Sequence, residues 1–243
     1  MEWGRTGLER LAPLVDVVVI IDVLSFAGAV EVAVSRGAAV TPCPQDLAEA
    51  SKLARQREAA LAVARRRMDA EHPFSLSPRS LENLNPGDRL VLPSPNGGAL
   101  SAIAAGLCRQ VLCGCLRNAD AVAARAQELG RRVAVIAAGE LWPESTDEDG
   151  LTRSGATLRP AFEDLIGAGA VLNCFPEWSL SPEALAAVAA FRVAEASLES
   201  SMMNCVSGRE LCDLGFKDDV LHASLLNCSR IVPRLVDGEY RRD

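Results

Sequence analysis

The residues best able to do chemistry in this sequence are acids and amide donors standing at the ends of apolar runs. Asp22 closes Val17-Val18-Val19-Ile20-Ile21, five β-branched residues in succession. Such a run reads as a strand buried on both faces, and an acid at its C-terminal end lies where open α/β sheets hold their ligands. A carboxylate there can ligate a hard metal ion, act as a general base, or cap the helix that follows. Asn96-Gly97-Gly98 follows a second apolar run. It offers side-chain and main-chain N–H donors at a helix start, the chemistry an oxyanion requires, although Asn-Gly also reads as a plain turn. Arg117-Asn118 and Gly139-Glu140 stand at two further run ends. Glu163-Asp164 is a second acidic pair on a helical pattern. Side chains one residue apart on a helix point about 100° apart, so one acid can enter a site while the other faces solvent. Arg209, in Ser207-Gly208-Arg209-Glu210 at another helix start, can make bidentate contact with phosphate or sulfonate. Arg65-Arg66-Arg67 reads as a solvated helix end or, more sharply, as a phosphate contact.

The elements that must position these residues alternate. A helix is predicted from Ala27 to Arg36 with Gly37 as its stop, then a strand from Ala38 to Thr41. A long helix follows from Asp46, an N-cap residue by type, through Ala64. Strands are expected at Arg89–Ser94, Gln110–Cys115 and Arg132–Ala138, each followed by a loop and a helical pattern. The acidic run Asp147-Glu148-Asp149 lacks the alternation of a calcium loop and reads as a solvated turn. From about residue 160 the chain is mainly helical: Ala161–Asn173, Pro182–Ala196, and shorter helices around Ser197–Leu214 and Asp218–Ser229. Ile231-Val232-Pro233 reads as a last strand, at an edge because of its proline. This order predicts one α/β domain over residues 1–243, a three-layer α/β/α fold with a mainly parallel or mixed sheet.

Composition narrows the function classes. The chain has 243 residues, enough for a sizeable core, and its net charge of −7 argues against nucleic acid and acidic membrane surfaces as partners. No apolar stretch approaches the ~20 residues of a membrane span, and the amino end lacks a secretory pattern, so a cytoplasmic protein is expected. Its eight cysteines contain no CxxC pair and sit among Val, Leu and Ala, which reads as buried, reduced thiols. Phosphate signatures fail on inspection. Cys228 to Arg234 has the C-x5-R spacing of cysteine phosphatases but β-branched residues and a proline where a glycine-bearing loop is needed. Leu24 stands where aspartate-nucleophile phosphatases place a second Asp.

Taken in order, a series of short motifs resembles one family. They are Ile21-Asp-Val-Leu24, Arg36-Gly-Ala38, Leu76-Ser-Pro78, Pro95-Asn-Gly97, Leu116-Arg-Asn118, Glu163-Asp-Leu165 with Gly167-Ala-Gly169, Ser207-Gly-Arg-Glu-Leu211, and Gly215-Phe216 with Asp218-Asp219. The chain is similar along most of its length to the magnesium-dependent 2-phosphosulfolactate phosphatases of coenzyme M biosynthesis. The resemblance implies a bound Mg²⁺ and hydrolysis of 2-phospho-3-sulfolactate, or a related small phosphorylated acid, to the hydroxy acid and phosphate. On that reading Asp22, Glu163 and Asp164 are the catalytic acids, with Asp22 and Glu163 as metal ligands. Asn96, Gly97 and Asn118 donate to phosphate, and Arg209 holds an anionic end. A homodimer is left open. Ser25 departs from the family pattern, which has arginine there. Restoring Arg at position 25 is expected to lower KM or raise kcat/KM; should it not, Arg66, Arg67 and Arg209 are the next candidates for the missing arginine's place. The alternative is a catalytically inactive protein that keeps the fold for small-anion binding or assembly.

Overall fold

A computed structural model describes residues 1–142 and 157–243; the acidic run Asp147-Glu148-Asp149 lies outside them. The strands are β1 (Glu2–Trp3), β2 (Val17–Ile21), β3 (Ala39–Cys43), β4 (Ala60–Leu61), β5 (Arg89–Pro93), β6 (Gln110–Gly114), β7 (Val133–Ala137), β8 (Glu140–Leu141), β9 (Leu158–Arg159), β10 (Pro233–Val236) and β11 (Glu239–Arg242). The α-helices are α1 (Gly4–Leu11), α2 (Phe26–Ser35), α3 (Leu47–Arg57), α4 (Pro78–Leu81), α5 (Gly97–Leu107), α6 (Ala119–Leu129), α7 (Phe162–Leu172), α8 (Pro182–Ala194), α9 (Leu198–Asn204), α10 (Val206–Asp213) and α11 (Lys217–Ala223).

Nine strands form one sheet in the order β1-β7-β2-β6-β10-β11-β3-β5-β4, with β8 and β9 as a separate small ribbon. The β-branched run of β2 lies between β7 and β6, parallel to both and matched over five residue pairs on each side. All five of its residues are fully buried, as a run apolar on both faces requires. Helices α6 and α7 pack on each other and against β2 and β6, while α1 and α5 form a second group against β7, β2 and β3. The architecture is mixed α/β with a large, mainly parallel sheet, consistent with a three-layer α/β/α fold.

The sheet's centre corrects two expectations. The segment read as an edge strand is β10, and it stands inside the sheet between β6 and β11. Pro233 is tolerated because it is the first residue of the strand, and β10 is bridged to β6 only at Arg234↔Leu112. The second strand of this hairpin, β11, is absent from the sequence reading. It is turned by Asp237 (φ 52°) and Gly238 (φ 77°), the left-handed pair that a tight hairpin turn uses. On β11 the fully buried Tyr240 hydrogen-bonds Ser101 of α5 (2.8 Å) and packs edge-on against Phe26 of α2 (6.3 Å). The hairpin therefore fixes the two helices whose first turns meet at Asp22.

The helix predicted from Asp46 to Ala64 also ends early. Asp46 does cap it, accepting from the amides of Ala48 (2.9 Å) and Glu49 (3.0 Å). Glu58 then turns left-handed (φ 50°) and the chain enters β4. All eight cysteines are free thiols, with Cys43, Cys113, Cys115 and Cys205 buried and Cys228 exposed. Among the described residues no helix is long and apolar enough to cross a membrane.

Candidate active site

Asp22 follows the last residue of β2 and keeps only 4% of its surface exposed. Its Oδ2 accepts from the Gly97 amide at 2.7 Å and its Oδ1 from the Phe26 amide at 3.4 Å. One carboxylate thus joins the first amides of α5 and α2. The capping expected of Asp22 is met at two helix starts at once. Only glycine serves at position 97: a Cβ there would come within 2.5 Å of the Phe26 ring and 2.7 Å of Asp22 Oδ2. Burial pushes the Asp22 carboxyl up to about 6, with the charge of Glu163 adding to the rise, while the Gly97 and Phe26 amides and Arg65 oppose it.

The acids of α7 arrive at the same tip. Glu163 and Asp164 occupy the first turn of α7 and both are buried, so neither takes the solvent-facing position that their spacing allowed. Asp164 accepts from the amides of Val23 (2.7 Å) and Gly139 (2.8 Å), one on each oxygen, and so clips the loop after β2 to the loop after β7. Burial and the charges of Asp22 and Glu163 push its carboxyl well above the usual range. Glu163 lies within reach of the buried Cys205 thiol, which burial and the Glu163 charge push up to about 12. Glu140 is the fourth acid. Burial, then the charge of Asp22, raises it to about 7, and Asn96 Nδ2 donates to it at 2.8 Å.

The other residues expected at the site divide. Asn96 is there, holding Glu140, and Gly97 is there with its amide given to Asp22. Asn118 is fully engaged elsewhere: Oδ1 accepts from the Cys115 amide (2.9 Å) and Nδ2 donates to the Ile231 carbonyl (2.9 Å). Its neighbour Arg117 pairs with the buried Glu31 (2.9 Å). Arg209 is exposed and donates to the Asn204 carbonyl at the end of α9 (2.8 Å). Arg66 and Arg67 are exposed too. The arginine beside Ser25 is Arg65, whose Nη2 donates to Ser25 Oγ at 2.6 Å and whose Nε donates to Asp219 Oδ2 at 2.9 Å. Sequence reasoning also missed Arg159, which carries no motif; it donates to Ser207 Oγ at 3.4 Å and lies 5.6 Å over the Trp142 ring. A cavity of about 690 Å³ opens beside Asn96, walled chiefly by Trp3, Leu100, Ile103, Leu141 and Leu158.

Four carboxylates thus share one tip, and three of them are held above their ordinary range. Among the described residues no three His, Cys, Asp or Glu side chains converge as a closed metal cage would require. Magnesium does not need one, since it is bound through one or two carboxylates and keeps several waters. The donor chemistry fits such an ion: hard oxygens crowded at excess negative charge. Asp164 has both oxygens held closely by amides and Glu140 has one bound by Asn96. Asp22 also accepts two amides, but its Oδ1 contact to Phe26 is long at 3.4 Å, so Asp22 Oδ1 and the Glu163 carboxylate are the least committed oxygens of the cluster.

The comparisons agree with the motif series. A family model described as 2-phosphosulpholactate phosphatase matches residues 8–238. The chain is 30% identical over 223 residues to a 2-phosphosulfolactate phosphatase of Methanothermobacter thermautotrophicus, covering 90% of this chain and 87% of that protein. With a buried acid cluster at the tip of its central strand and a family match across nearly its whole length, this chain belongs to the 2-phosphosulpholactate phosphatase family.

Proposed function

We propose that the protein is a Mg²⁺-dependent phosphoric monoester hydrolase acting on 2-phospho-3-sulfolactate or a close relative, as in coenzyme M biosynthesis. The observation that carries this reading is the set of four carboxylates around the N-termini of α2 and α5, in a chain of this family. Asp22 and Glu163 would hold Mg²⁺, which when bound would neutralise charge on the phosphoryl oxygens and orient water.

The chain's own residues supply the rest. Hydrolysis breaks the ester P–O bond, adds water oxygen to phosphorus and requires a proton on the departing alkoxide. Glu140, raised to about 7 and held by Asn96, carries a proton in a large fraction of molecules at neutral pH and is the suited donor. Asp22 is the fixed anion of the site, its carboxylate oriented by two amides. Asp164 braces Val23 against Gly139 and so holds the two loops that carry Asp22 and Glu140.

The test is phosphate release from a panel of phosphorylated hydroxy acids, with Mg²⁺ and with a chelator. Release from the sulfonated substrate, abolished by chelation, is the expected result. Tight binding of these esters without turnover would replace this reading with that of an inactive anion-binding protein.

A further inference from the structure

Four acids at one tip make a poor host for a polyanionic ester unless cations are placed against them. Two arginines flank the cluster in closely similar settings. Arg65 is anchored by Asp219, itself fixed by Ser77 Oγ at 2.6 Å, and its guanidinium lies 5.2 Å over the Phe216 ring. Arg159 is anchored by Ser207 Oγ and, at 3.7 Å, by Glu210, and lies over Trp142. Their side chains are 15% and 12% exposed, so both heads are held but not sealed.

Each retains donors. Arg65 Nη1, and Nε and Nη1 of Arg159, meet no hydrogen-bond acceptor among the described residues. Arg65 also lines a cavity of about 300 Å³ with Leu76 and Phe216. Arg65 stands beside Ser25, in the loop that follows Asp22, and Arg159 is the register partner of Glu140 across the β8–β9 ribbon, so each neighbours a different acid of the cluster. Of the arginines named for this role, Arg66 and Arg67 are exposed and Arg209 holds a helix end, and the nearby Arg117 is spent on Glu31.

We propose that Arg65 and Arg159 are the two anion contacts of this site. Arg65 takes the phosphate beside Ser25 and Asp22, and Arg159 takes the second anionic end, sulfonate or carboxylate, beside Glu140. The two contacts suit a small phosphate ester that carries at least one further anionic group at a distance from the phosphate. A held guanidinium offers a planar fork to an oxyanion at little further ordering cost, which is why both are arginines fixed from one side. The assignment rests on the phosphatase reading for its chemistry, but binding alone can test it.

The experiment is calorimetric titration of wild-type, Arg65→Met and Arg159→Met proteins with two probes, inorganic phosphate and 3-sulfolactate, alongside KM for the phosphorylated ester. Loss of a charge-assisted contact corresponds to about a tenfold to hundredfold weakening. Arg65→Met is expected to weaken phosphate by that factor and to leave 3-sulfolactate within about threefold; Arg159→Met is expected to do the reverse. Wild-type affinity of either variant for its assigned probe overturns the proposal, as does equal weakening of both probes by both variants. Should Arg65→Met fail to fold with Asp219 unpaired, Arg65→Lys keeps the ion pair but loses the fork. A several-fold loss of phosphate affinity is then expected, and an unchanged affinity overturns the assignment. If wild-type protein turns over no ester yet shows the double pattern of binding, the phosphatase reading fails and the two contacts stand.

Discussion

Replacing Asp22 with asparagine separates the cost of the site from its use. In chelator the Asp22 carboxyl is raised from 3.8 to about 6 by burial. An acid whose folded value is raised binds its proton more tightly when folded, so stability is full below the unfolded value and is lost as pH rises through the folded one. A rise of that size corresponds to on the order of 3 kcal/mol of destabilisation above about pH 6, none of it present below about pH 4. Asparagine removes that charge. It keeps an acceptor for the Gly97 amide at 2.7 Å but turns an N–H toward the Phe26 amide at 3.4 Å, at a cost of about 1 kcal/mol. The net expectation at pH 8 is a gain of about 1–2 kcal/mol, or a Tm higher by roughly 2–8 °C for a chain of this size. At pH 4, where the wild-type carboxyl is already protonated, the Asp22→Asn variant is expected to be equal to or slightly less stable than wild type. Thermal melts at the two pH values in chelator give the answer. A shift of the same sign and size at both would show that Asp22 is not a strained, buried charge.

Two further substitutions probe the same tip. Gly97→Ala places a Cβ against Phe26 and Asp22 Oδ2, so the Asp22–Gly97 bond must break; a stability loss of about 1–3 kcal/mol and at least about a hundredfold loss of kcat/KM are expected from melts and steady-state kinetics. Normal turnover would remove this bond from the account. Ser25→Arg, expected from sequence alone to improve catalysis, would instead press a second guanidinium onto Arg65 Nη2, 2.6 Å from Ser25 Oγ. The single variant is therefore expected to lower Tm without raising kcat/KM. Ser25→Arg combined with Arg65→Ser is expected to exceed Arg65→Ser alone by about tenfold, a lost charged contact being worth that much. Improved kcat/KM in the single variant would show that Arg65 does not fill this place.

What is legible in the sequence is local. The β-branched run marks β2 and its terminal acid because burial on both faces leaves an unmistakable pattern. Asp46 is readable as a cap because capping needs only the next three residues. The hairpin of β10 and β11 has its signal in Asp237-Gly238, but Pro233 points just as well to an edge strand as to the first residue of an inner one. The arginines are of another kind. Which member of Arg65-Arg66-Arg67 turns inward is decided by Asp219 and Ser25, 154 and 40 residues away, and no spacing carries that information. Asn118 shows the converse: a motif residue whose amide is consumed by Cys115 and Ile231, neither of them part of the Leu116-Arg-Asn118 motif.

On the phosphatase reading, the acid cluster at the tip of β2 is where the phosphate ester is hydrolysed. The most direct measurement is steady-state phosphate release from 2-phospho-3-sulfolactate by wild-type and Asp22→Asn proteins side by side, in excess Mg²⁺ and in chelator. Mg²⁺-dependent release by the wild type is expected, with a kcat/KM lower by at least about a hundredfold in the variant and its Mg²⁺ affinity weakened in parallel. Equal release by both proteins, with the same Mg²⁺ dependence, would place the chemistry somewhere other than Asp22.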